Sequence, residues 1–302
     1  MQLYPSQMVA DVQSELRDTL GRAATPAIIG KKLNRSLRDL SAEIRKVQSN
    51  AFKYSTTVNV TVGVSDYDLP IDIPPNGITE VLPLDSQLSV SKRYVRFNDR
   101  GRYTSGSTYY YTVRHNGRNL VLSILPPPTA SETVTVWYTK EPTAMQYGTP
   151  GTMTANTILL AATPTIGQRY LEASEPVNAR IAITAGNAFG DVRRITAYNV
   201  TTRVATVDAA WTSVPGNTVY EILPDWVSDQ ASDYLIWDVL RQEMARNKDD
   251  KTDWDQMRRE KLERILGQWQ TLQKSEPHRI PLGRGYARTL LHRLPPGVDK
   301  GD

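Results

Sequence analysis

The apolar residues switch from a helical to a strand-like period and back along this chain, which excludes an all-helical and an all-β fold together. Near the start, Met8, Val12, Leu16 and Leu20 recur every four residues before Gly21, the spacing of one helix face and its stop. Thr25 then precedes Pro26, an N-cap followed by a proline at the first helical position, where its missing N–H costs nothing. The helix predicted from there carries Ile29, Leu33, Leu37, Leu40, Ile44 and Val47 on a narrow stripe. Its other face holds Lys31, Lys32, Arg35, Arg38, Arg45 and Lys46, which suits either solvent or contact with phosphate or an acidic partner.

From Tyr54 the period becomes two. Val58, Val60, Val62 and Val64 alternate with small or polar residues, as in a half-buried strand. Further strands are predicted at 78–84, 109–114, 120–125 and 133–138, and Asn116-Gly117 favours a tight hairpin between the middle two. Between Arg93 and Tyr111 the spacing predicts a long exposed loop or hairpin tip. There Arg93, Arg96, Arg100, Arg102 and Tyr103 combine cations with an aromatic ring, a composition for stacking on bases, for a protein interface, or for plain solvation.

A second β block follows, with strands predicted at 158–162, 180–184, 192–198, 203–207 and 218–223, forming a small antiparallel barrel or sandwich. Its flanks, Tyr147-Gly148-Thr149-Pro150-Gly151 and Leu223-Pro224, read as linkers, which predicts an autonomous, outward-facing unit. Helix returns after Leu223-Pro224-Asp225-Trp226, with Ala231, Tyr234, Leu235, Trp237, Val239, Leu240 and Met244 making a broad apolar face. In a final helix Trp254, Met257, Ile265, Trp269 and Leu272 recur at helical spacing. Trp226, Trp237, Trp254 and Trp269 are all expected in these two helices as core residues.

Neither pair of terminal helices can bury its stripe alone, so the expected fold is α+β. It has a helical bundle formed by both chain ends, a central β region, an inserted small antiparallel β barrel or sandwich, and an extended C-terminal arm. The boundaries are 1–53 and 223–276 for the two parts of the bundle, 54–147 for the β region with its basic loop, 148–222 for the inserted domain and 277–302 for the arm. That last stretch has neither period and is rich in Pro and Gly. Yet Ile280, Leu282, Tyr286, Leu290 and Leu291, interleaved with Arg279, Arg284, Arg288 and Arg293, are too apolar for an inert tail and suit docking on a partner.

The same residues exclude most chemistry. There is no cysteine, which removes disulfides and thiolate nucleophiles together, and the three histidines lie far apart, with no helical metal-ligand pair among them. No catalytic, cofactor or metal site is expected. Gly283-Arg284-Gly285 lacks the strand, third glycine and helix of a dinucleotide loop, and Asp66, Asp68 and Asp72 suit a turn better than a cation site. A net charge of +4 from 36 basic and 32 acidic residues does not by itself mark a nucleic-acid binder. No apolar run reaches the roughly 20 residues of a membrane span, and Met1 to Ala10 carries no secretory pattern, so synthesis in the cytoplasm and no membrane partner are expected.

The order of short motifs carries a resemblance. A helical start, Tyr67-Asp68-Leu69-Pro70-Ile71-Asp72, a strand pair closing on Leu122-Ser123-Ile124-Leu125-Pro126-Pro127-Pro128, then Val136-Trp137-Tyr138-Thr139-Lys140-Glu141-Pro142 and Leu223-Pro224-Asp225-Trp226 resembles the head-to-tail adaptor (connector) proteins of tailed bacteriophages. Ile181 to Gly186, Arg194 to Tyr198 and Ala205 to Asp208 resemble a β module of phage virion proteins and are read as an insertion. The resemblance implies a structural virion protein and not an enzyme. It implies a homododecameric ring under the portal at the head-to-tail junction, assembled in the host cytoplasm, with portal and tail or nozzle proteins as partners. DNA would pass through the channel without sequence specificity. It further implies that Arg279, Ile280, Leu282, Arg284, Tyr286, Arg288, Leu290, Leu291 and Arg293 bind the portal or a neighbouring subunit, and that Arg93, Arg96, Arg100, Arg102 and Tyr103 face the channel or tail. Two other readings stay open: a nucleic-acid-binding protein using the basic helix, and a carbohydrate-binding tail accessory protein using the inserted β domain.

Overall fold

In the computed structural model the chain is mixed helix and sheet, and the structure describes residues 3–20, 24–70, 73, 77–83, 94–105, 109–116, 119–171, 175–213, 218–247 and 252–275. Helix α1 (Pro5–Leu20) buries Met8, Val12 and Leu16, and α2 (Pro26–Val47) buries Ile29, Leu33, Leu37, Leu40 and Ile44 almost completely. The start of α2 is as the sequence predicts: Pro26 opens the first turn, and the Thr25 hydroxyl accepts from the Ile28 N–H at 3.4 Å. At the other end of the chain, α3 (Asp229–Asn247) packs against α1, α2 and α4 (Thr252–Ser275). Being surrounded, α3 must be apolar on several faces, and Ala231, Tyr234, Leu235, Ile236, Val239 and Leu240 are all buried. These side chains, with Ile265 of α4, form one continuous hydrophobic cluster. Each fully buried Leu or Ile contributes about 1.5–3 kcal/mol.

Trp226 does not lie within a C-terminal helix as expected. It precedes α3 and lies in the turn that leads into it. There its ring meets Phe52, which has a positive φ of 60° and also contacts Trp269 of α4. The three rings close one end of the helical layer where the chain passes from α2 into the sheets.

Between the helix pairs the chain builds three antiparallel sheets. Strands β1 (Lys53–Val60), β3 (Ile78–Pro83) and β6 (Glu132–Thr139) make one, in the order β1-β6-β3. Strands β2 (Asp66–Asp68), β4 (Tyr110–Asn116) and β5 (Asn119–Leu125) make the second, in the order β2-β5-β4. The register pairs Asn116 with Asn119, so the two strands do form a tight hairpin, but Asn116 is the last residue of β4 and not the first central residue that an Asn-Gly turn would make it. Val60, Val81, Val134, Val136 and Tyr138 from the first sheet meet Tyr111, Leu122 and Ile124 from the second in one cluster. The predicted alternation through Val64 is not realised as strand. Gly63 takes a φ of +75° and donates its N–H to Pro128 O, reversing the chain and leaving Val62 and Val64 exposed.

The third sheet holds β7 (Gln146–Gly148), β8 (Thr157–Leu159), β9 (Arg180–Ala185), β10 (Val192–Asn199), β11 (Val204–Val207) and β12 (Val219–Leu223) in the order β7-β12-β9-β10-β11-β8. It curls into a half-barrel. Tyr220 of β12 reaches across the interior, where its hydroxyl accepts from Ala161 N, just beyond β8, and donates to Gln146 on β7. Ile158, Ile181, Ile183, Ile195, Ala205 and Ile222 fill the concave side.

This sheet is joined to the helices by more than its flanks. The expected linker at 147–151 begins inside β7, which pairs with β12. Just before it, buried Asn34 of α2 exchanges two hydrogen bonds with the backbone of Met145, at 2.7 and 3.0 Å, as a neighbouring strand residue would. Ile166 presses against Gly30, where an added Cβ would come within 2.5 Å of its side chain. On β12, the buried Glu221 carboxylate accepts from both the N–H and the hydroxyl of Ser6, capping the first turn of α1 with a negative charge where the helix dipole favours it. Met145, Ile166 and Leu223 are correspondingly part of the helical core.

Candidate interaction surfaces

Of the basic loop, Arg96, Arg100, Arg102 and Tyr103 are described, and Arg93 lies outside the described residues. The segment is more ordered than a loop tip. Phe97–Arg102 forms a short 3-10 helix, and Val95 donates its N–H to Tyr111 O, docking the segment beside β4. Half-buried and exposed aromatic rings pair along it. Tyr94 meets Tyr111 edge to face at 5.6 Å, Tyr103 lies 4.4 Å from Tyr110, and the Arg100 guanidinium covers the Phe97 ring at 3.7 Å. Arg96 and Arg102 point outward, exposed and with no ion-pair partner among the described residues. The structure thus brings Arg96, Arg100, Arg102 and Tyr103 together as a cationic and aromatic cap on one sheet, able to meet phosphate or carboxylate groups.

Beside this cap, Asp66 of β2 is fully engaged. The hydrogen bond from Ser123, at 2.5 Å, is the main reason its carboxyl sits below the usual range; burial opposes this, and Arg114 at 2.7 Å adds to it. Asp68 is exposed, Asp72 lies outside the described residues, and no cluster that could hold a metal ion occurs among those described.

The basic face of α2 divides in two. Lys32 is paired with Glu243 of α3, Lys46 with Glu43, and the Arg45 side chain donates to Ser41 O. Lys31, Arg35 and Arg38 are exposed and have no acidic partner among the described residues. Opposite them stand 140–144, whose Lys140-Glu141-Pro142 closes one of the motifs of the resemblance, and 167–171, which sequence reasoning did not single out; they carry Lys140 and Arg169. No local signal marks either segment as one that faces α2. Their approach to α2 follows from the Asn34–Met145 and Gly30–Ile166 contacts.

The arm residues Arg279, Ile280, Leu282, Arg284, Tyr286, Arg288, Leu290, Leu291 and Arg293 lie outside the described residues. Among the described residues no helix is long and apolar enough to cross a membrane. In comparison with known proteins, the family model for the SU10 adaptor protein matches residues 6–175, more than half of the 302 residues. The match runs from α1 through both smaller sheets into the curled one. No curated protein matches the chain.

Proposed function

We propose, from the premise that the chain belongs to the SU10 adaptor protein family, that this phage structural adaptor forms a ring beneath the portal, joining head to tail and continuing the DNA channel. The family match over residues 6–175 carries this reading. The architecture supports it. A ring subunit needs a rigid body, and here the helical layer is tied to the curled sheet by Asn34, Gly30 and Glu221. The interface in a ring of identical subunits is heterologous, with two different surfaces meeting, so a many-sided α+β subunit suits closure.

In this reading the helices of 1–53 and 223–276 form the bundle, 54–147 presents the basic cap, and 148–222 decorates the ring. The cap residues Arg96, Arg100, Arg102 and Tyr103, with Arg93, face the channel or tail. There cations meet passing DNA through its phosphates, without reading sequence. The stretch 277–302 is the arm that engages the portal or a neighbouring subunit, its arginines pairing with carboxylates while its leucines bury. Weak arms acting together around a ring gain strength through high effective concentration.

Negative-stain electron microscopy of the purified protein, alone and mixed with its portal, tests the proposal. Rings of uniform diameter, or portal particles bearing an added ring, are expected. A protein that stays monomeric and does not associate with portal under both conditions refutes it.

A further inference from the structure

Between α2 and the segments 140–144 and 167–171 lies a cleft of about 480 Å³, within the range of built ligand sites. One wall is the exposed row Lys31, Arg35 and Arg38 on α2, which form no ion pair among the described residues; with Lys140 and Arg169 these cations outnumber the two carboxylates that also line the cleft, Glu141 and Glu175, the latter accepting from Leu171 N–H. Arg169 stands on the other wall, its guanidinium oriented by a 2.7 Å hydrogen bond to Val200 O. The floor is apolar, with buried Leu37 and with Tyr170, whose hydroxyl is used up in donating to Ala144 O. Pro142 and Leu171 form the rim, and Leu171 is 49% exposed.

The walls are held at a set distance. The Asn34–Met145 pair clamps one wall to α2. Gly167, at a φ of +86°, lets the backbone pass so close to Met145 O that an added Cβ would lie 2.3 Å from it. A second hollow, lined by Lys31, Lys32, Arg35 and Arg241, continues from the cleft along α2 toward α3. The two together make a basic trough with an apolar step in it.

We propose that this trough docks an extended acidic segment of a partner protein, its carboxylates meeting Lys31, Arg35 and Arg38 and one apolar side chain settling between Pro142 and Leu171. Charge complementarity selects the class of occupant. Arginine pairs carboxylates bidentately, and an apolar anchor in a preformed pocket supplies the desolvated centre around which such contacts hold. The stretch 277–302 of a neighbouring copy is excluded as occupant by its own cations Arg279, Arg284, Arg288 and Arg293. Duplex DNA presents an evenly charged convex backbone and no apolar group to cover Leu171. The inference does not depend on ring assembly.

Fluorescence anisotropy of the full-length protein with a labelled peptide of alternating glutamate and leucine tests it, with a labelled short duplex DNA as the second probe. The peptide should bind, and the double variant R35E/R38E should weaken it about tenfold or more. Arg96→Glu, which removes an exposed cation that lines neither hollow, should leave affinity within about twofold. Circular dichroism of the variants confirms that they fold. Absence of peptide binding overturns the proposal, as does equal weakening by Arg96→Glu, which would mark general charge attraction. DNA binding more tightly than peptide with the same dependence on Arg35 and Arg38 overturns it in favour of nucleic acid.

Discussion

Replacing Asp238 by alanine should unlock the helical layer at its most polar point. The Asp238 side chain is 3% exposed, in α3 between α2 and α4. One carboxylate oxygen accepts from Ser36 Oγ at 2.6 Å and Gln242 Nε2 at 2.7 Å, and the other from Arg258 Nε at 2.5 Å. Burial pushes this carboxyl up, but the hydrogen bonds from Ser36 and Arg258 and the guanidinium charge outweigh it and hold the group below the ordinary carboxylate range. Without the carboxylate, Arg258 retains Tyr234 Oη as an acceptor and the buried Ser36 hydroxyl loses its own. Breaking a buried pair from one side costs about 3–5 kcal/mol, and because Arg258 keeps some contact with water the lower end, about 3 kcal/mol, is expected. In urea, followed by helical circular dichroism, that is a midpoint about 1 M lower at a slope of about 3 kcal/mol per M. The contribution is fully present above the unfolded value of about 3.9 and is lost as pH falls through the folded value. The gap between the natural protein and Asp238→Asn should therefore be constant from pH 5 to 8, on the order of a few kcal/mol, and close below about pH 4. A midpoint unchanged by Asp238→Ala at neutral pH, or a gap that persists in acid, would refute the reasoning.

Other substitutions probe the ties between layers. Gly167→Ala combines a positive φ with a clash against Met145 O, so it should cost more than about 2 kcal/mol and show as a lowered melting temperature. Glu221→Ala strands the Ser6 N–H and hydroxyl at the start of α1 and should cost about 1–3 kcal/mol, with amide exchange rising first in that helix. Leu37→Ala should cost about 2–5 kcal/mol by urea titration, since its side chain is fully buried in the helical core. A protein ending at Glu276 should keep its circular dichroism but fail to co-purify with portal; continued co-purification would show the arm to be dispensable.

What the sequence made legible was local. The cap and stripe of α2 could be read because Thr25, Pro26 and the spacing from Ile29 to Ile44 each act within a turn or two. The strands β4, β5 and β6 could be read because their apolar runs end at turn residues. Strand β7 could not. Gln146-Tyr147-Gly148 beside Thr-Pro-Gly has no strand signal, and it is a strand because β12, far along the chain, lies beside it. Glu221 caps a helix through Ser6, 215 residues earlier, and no helix-start pattern contains such a residue. Val62 and Val64 mislead in the opposite sense, since an alternating pattern does not show that Gly63 will turn the chain before a partner strand is reached. At the candidate surfaces, the cations of Arg96, Arg100 and Arg102 stood out by composition. The trough did not, because Arg169 and Arg38 come to line one cleft only after α2 and the curled sheet are packed.

The position of β12 decides how the molecule would carry load. It lies between β7 and β9, runs directly into the turn before α3, and holds α1 through Glu221. A pull between the curled sheet and the helices therefore acts along the strand and shears its ladders on both sides, so that many hydrogen bonds share the strain at once. At β8, the last strand of the sheet, a pull across the strand would open its short ladder to β11 one bond at a time. The body is thus stiff along the axis that joins sheet to helices and yields first at its rim.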